Sequence, residues 1–150
     1  MKPTRAVGIY RILPHTADAG FEATASDLGE LFKAAGRAVA DLSGEAPPGT
    51  PATAVDHVEL AAVDLPGLAF AWLDELVGLI ETRHGVIVQV DVEAVGESTR
   101  GGCFLRGRAG TAPFDSPAVR PRRHVKAATF HGLRVERGGQ TWTMVAYLDV

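Results

Sequence analysis

Cysteine is almost absent: Cys103 is the only one in 150 residues. A single thiol excludes an internal disulfide framework and any multi-cysteine zinc or iron–sulfur site, and it points to a reducing compartment. Two glycines and no cation or histidine adjoin Cys103 in sequence, so it reads as structural. Long apolar runs are missing too. None approaches the roughly 20 residues that span a bilayer, and the start, MKPTRAVGIYRILPH, has no apolar signal region. We therefore expect a cytoplasmic protein without a membrane partner. Excess positive charge is also lacking. A net charge of -3 excludes a protein that grips nucleic acid with its whole surface. There is no phosphate loop, dinucleotide fingerprint or nucleophile elbow, and no residue is assigned a catalytic role.

What is present suffices for a core: 46% hydrophobic and 22% charged residues, in a chain of single-domain length. We expect one domain over residues 1–150. Residues 7–13 and 20–24 read as strands joined by a loop, with Pro14 stopping the first. From Ser26 to Leu42, the residues Leu28, Leu31, Phe32, Ala35, Val39 and Leu42 recur at three- and four-residue steps, one face of a helix. Asp27 and Glu30 resemble a capping box, with Ser26 as the other candidate cap. Gly29 and Gly36 weaken that helix by roughly 1 kcal/mol each. A second helix starts at Asp64 with Pro66 in its first turn. It buries Leu68, Trp72, Leu76, Leu79 and Ile80, and Gly85 is its expected left-handed cap. Further strands are read at 55–62, 86–92, 104–108, 125–130, 133–136 and 141–149. Loops cover 45–54 and 110–123, and Gly138–Gly139 forms a hairpin turn. Strand–helix–strand alternation is missing, so the fold class is α+β: two amphipathic helices on one face of a largely antiparallel or mixed sheet.

Four groups of residues are candidates for chemistry. The loop His15-Thr16-Ala17-Asp18 offers an imidazole and a carboxylate. Asp18 suits a hard cation or an acid–base role, or else closes its own turn. The ending Tyr147-Leu148-Asp149-Val150 places the Asp149 side chain beside the terminal carboxylate of Val150. With Asp18 these oxygens would suit calcium or magnesium; the other reading is a solvated terminus. Lys126 and His131 flank Ala127–Phe130. Five residues apart, they would face opposite sides of a regular strand, as an edge-strand guard and a hydrogen-bonded turn residue. Arg120, Arg122, Arg123 and His124 form a basic run, for an anion or RNA contact or as a solvated loop.

In this order the pieces resemble the archease family. The resemblance rests on Tyr10–Asp18, on the helix Asp27–Leu42, on Phe70-Ala71-Trp72-Leu73-Asp74-Glu75-Leu76, and on Val125–His131 with Tyr147–Val150. Residues 97–124 carry little of it. The resemblance implies an accessory protein of the GTP-dependent RNA ligase that joins split tRNA exons. That ligase seals ends bearing a 3′-phosphate or 2′,3′-cyclic phosphate, and its activator promotes ligase guanylylation and multiple turnover. It further implies a divalent metal, calcium by the family's usual description, at Asp18, Asp149 and Val150, with Lys126 in the same functional cluster. We group His15 and His131 with that cluster. On this reading the partner is the ligase, RNA is met only through it, and the protein is no enzyme. Two rivals stand beside it: a general chaperone or protein-interaction module, and a metal-dependent phosphoester hydrolase using His15 as base.

Overall fold

A computed structural model describes residues 7–13, 18–122 and 124–150. The expected α+β architecture is present, with all strand pairs antiparallel and the strands divided between two sheets and a ribbon. In the first sheet β1 (Ile9–Leu13) pairs with β2 (Asp18–Ala25), and β2 with β10 (Thr141–Asp149). The far side of β10 pairs with β9 (Arg134–Gly138) along its first half and with β8 (Ala127–Ala128) at its end. The second sheet runs β4 (Ala54–Ala62), β6 (Cys103–Pro113), β5 (Gly85–Glu97). A ribbon joins β3 (Gly44–Glu45) to β7 (Arg120–Pro121).

The two sheets enclose the helices as a middle layer. Helix α1 (Leu28–Ser43) packs on β2 and on β5; helix α2 (Leu65–Arg83) packs on β4 and β6, and on β8 and β9. Covering from both sides explains why Ala34, Gly36 and Ala38 are buried in α1 beyond the predicted stripe. It also gives Gly36 a purpose, because a Cβ there would lie 2.7 Å from Val90 Cγ1 of β5. Asp27, not Ser26, caps α1: its Oδ1 accepts the Glu30 N–H at 2.9 Å. Glu30 does not complete the box; its carboxylate instead accepts the Gly8 N–H at 3.3 Å, tying down the approach to β1. Asp64 caps α2 by accepting the Gly67 N–H at 2.8 Å. At the core centre the Trp72 indole N–H of α2 donates to the Phe32 carbonyl of α1 at 2.9 Å.

Several expected boundaries move. The left-handed cap of α2 is His84 (φ 48°, ψ 53°) and not Gly85, which opens β5 where a side chain would collide with the Ala112 carbonyl. Strands β5 and β6 run well past 92 and 108, so the second loop begins after Pro113 and not at 110. The strand expected over 125–130 is only Ala127–Ala128, because a turn takes over beyond it. The hairpin loop sits one residue on, with Gly138 paired to Thr141 and Gly139 at φ 62°, the first central position of a type II′ loop.

Candidate functional site

The hydrophobic pattern of two strands fixes the candidate site. On β2, Ala19, Phe21, Ala23 and Ala25 are buried; on β10, Met144, Ala146 and Leu148 are buried. Antiparallel pairing matches Ala19 to Leu148, Phe21 to Ala146 and Ala23 to Met144. A slip of one residue would send that apolar set to the outside. The residues between pair in the same register: Glu22 with Val145, Gly20 with Tyr147, and Asp18 with Asp149. Two carboxylate-bearing residues stand directly opposite each other at one end of the sheet. Like charges in that relation destabilise a sheet unless something offsets them.

Lys126 joins the same end. Its backbone N–H donates to the Asp149 carbonyl at 2.8 Å, just before Ala127 pairs with Asp149. It stands outside β8, so the edge-strand role does not describe it. Among the described residues the carboxylate of Asp149 and the ammonium of Lys126 take part in no hydrogen bond or ion pair. His131 is a turn residue. The Leu133 N–H donates to the Phe130 carbonyl at 3.1 Å, Gly132 takes φ 72°, and the His131 N–H donates to Thr129 Oγ1 at 3.1 Å. The regular strand that would have set Lys126 and His131 on opposite sides is absent. The Tyr147 ring binds this turn to the sheet: a Cβ on Gly132 would lie 2.8 Å from Cε2, and one on Gly20 would lie 2.7 Å from Cδ1. His15 lies outside the described residues, between the end of β1 at Leu13 and the start of β2 at Asp18.

The side chain of Asp18 lies outside what the structure describes; a carboxylate such as that of Asp149 is by its chemistry a donor for a hard divalent cation rather than for zinc. Among the described residues no three or more His, Cys, Asp or Glu converge as a metal cage.

Elsewhere the structure assigns ordinary work to other candidates. Arg122 is no free loop cation: it donates to Asp41 Oδ1 at 2.6 Å, to the Asp41 carbonyl at 2.9 Å and to the Glu45 carboxylate, holding the second loop against the end of α1. Arg120 pairs in β7, His124 is exposed, and Arg123 lies outside the described residues. Burial pushes the Cys103 thiol up, in keeping with a structural role. A groove of about 600 Å³ that sequence reading missed lies over α1, between Tyr10 of β1 and Val86–Val90 of β5. There, burial and then the nearby Asp41 raise the Tyr10 phenol above its ordinary value. No local pattern announces that groove, because its walls are brought together by long-range packing.

The family model described as the archease protein family matches residues 10–150, running through 97–124 as well. The protein archease of Archaeoglobus fulgidus is 31% identical over 145 residues, covering 94% of this chain and 98% of its own. The solution structure of Methanobacterium thermoautotrophicum protein 1598 superposes with a TM-score of 0.77 at 28% identity, over 94% of this chain and 98% of that one. A crystal structure from Thermotoga maritima, described as an archease and possible chaperone, matches at a TM-score of 0.58 and 14% identity, over 100% and 97% of the two chains. The last likeness is one of fold. No helix among the described residues is long and apolar enough to cross a membrane.

Proposed function

The chain belongs to the archease family, and from that membership we propose that it is the activator of a GTP-dependent RNA ligase that seals 3′-phosphate or 2′,3′-cyclic phosphate RNA ends. The observation that carries this reading is the meeting of Asp18 and Asp149 in register, with Lys126 hydrogen-bonded to the Asp149 carbonyl. Asp18, Asp149 and a backbone oxygen of Val150 would hold a divalent cation, calcium or magnesium. When bound, that ion supplies positive charge that offsets two opposed carboxylates and attracts phosphate oxygens. Lys126 adds a cation of the protein's own beside it. His131 is held nearby by a turn fixed on Tyr147. Asp18 and Asp149 end paired strands, which fixes their backbone positions when a partner approaches. In this reading the protein performs no chemistry of its own; it brings charge to the partner's phosphate-handling centre.

The chaperone-like reading has the description of the Thermotoga maritima relative in its favour. A multiple-turnover RNA-ligation assay with and without the protein separates the two. The activator reading expects many ligations per ligase only when the protein is present. A protein that merely keeps the ligase folded would raise the active fraction without changing the number of turnovers per active ligase.

A further inference from the structure

One exposed aromatic side chain lies next to the proposed site and has no part in it so far. Phe130 is 59% exposed, yet it is held firmly. Its ring lies flat against Phe70 of α2, with centroids 4.1 Å apart and planes 10° from parallel. Its carbonyl closes the turn through the Leu133 N–H. One face of the ring is covered and the other is open to solvent, so the plate is set in position before anything binds it.

Its surroundings decide between kinds of ligand. Lys126, His124 and His131 are exposed on the same segment, and none forms an ion pair or a side-chain hydrogen bond among the described residues. The carboxylates nearby are Asp149, paired with Ala127, and Asp74, one helical turn after Phe70. A protein-binding anchor is normally ringed by further contact residues that exclude water; the segment that carries this ring instead presents exposed His124, Lys126 and His131. A flat open π-face beside free cations is the arrangement that holds single-stranded nucleic acid. Phe130 lies three residues beyond Ala127, at most about 10 Å of chain at roughly 3.3 Å per residue, within the reach of a nucleotide or two from the Asp149 end.

We propose that Phe130, backed by Phe70, is a stacking platform for a base near the 3′ end of single-stranded RNA, with Lys126 and His131 beside it for the adjoining phosphate. This rests on the activator reading and departs from the expectation that RNA is met only through the ligase. The net charge of -3 implies weak, salt-sensitive binding.

The test is fluorescence anisotropy of the full chain, at low salt, with a fluorescein-labelled ten-nucleotide RNA ending in a 2′,3′-cyclic phosphate. Phe130→Ala should weaken binding about tenfold, Phe130→Trp should retain it, and Lys126→Ala should weaken it and flatten its salt dependence. Equal affinity of wild type and Phe130→Ala overturns the platform, as does absence of binding by the wild type at millimolar protein. Loss of ligase stimulation by Phe130→Ala with RNA affinity intact would also overturn it and make Phe130 a protein anchor. RNA binding as expected, but no stimulation of ligation by the wild type, would strike the activator reading and leave the platform standing.

Discussion

Tyr147 shows how single residues set the site. Its ring occupies the space that side chains on Gly20 and Gly132 would fill, so two glycines and one aromatic fasten the His131 turn onto β10. Gly132→Ala should lower the unfolding free energy by about 2 kcal/mol, since a side chain at φ 72° is strained and meets the ring as well. Chemical denaturation monitored by circular dichroism measures this. A second residue-scale prediction concerns pH. Arg83 donates to both Asp56 oxygens, at 2.6 and 3.1 Å, and this bond holds the Asp56 carboxyl below its ordinary value of 3.8. The folded state thus favours the charged form more than the unfolded chain does. The resulting stability is present above that ordinary value and is lost as pH falls through the lowered one. Asp56→Asn should therefore melt below the wild type at neutral pH, by a modest margin for so exposed a pair. The margin should shrink as the pH falls below 3.8, which melting curves across the acid range would show.

At the scale of elements, the helices depend on each other through Trp72. Trp72→Phe would remove the bond to the Phe32 carbonyl and leave a space between α1 and α2. It should cost about 2 kcal/mol, read as a lower urea midpoint with an unchanged slope. The helices were legible because their signals are local: Asp27 and Asp64 as caps, and apolar residues at helical spacing. The strands were less so. Gly110 is expected to open a loop but lies inside β6, where a side chain would come within 2.7 Å of the Ala52 Cβ. Residues 125–130 have strand-like composition, yet only Ala127 and Ala128 pair, because the Phe130–Leu133 turn draws the chain away. The glycine after α2 was misread because His84 takes the left-handed conformation while Gly85 is needed for close approach to β6.

For the whole molecule, the central fact is that the pattern burying Phe21, Met144 and Leu148 also brings Asp18 opposite Asp149. The residues of the candidate site could be named from sequence; their register could not, because it joins positions more than a hundred residues apart. The staple of Arg122 on Asp41 and Glu45 was hidden because it too joins distant positions, 81 and 77 residues apart. If the two aspartates share a cation, millimolar calcium should raise the melting temperature of the wild type by mass action. Asp149→Asn should gain little from calcium and should be no less stable than wild type without it, since an opposed charge is gone. The most direct measurement is the number of RNA ligations per ligase molecule with wild-type protein, with Asp149→Asn, and with neither. The account predicts many turnovers with the wild type, and with the folded variant a number close to that of the ligase alone. Full stimulation by Asp149→Asn would contradict it.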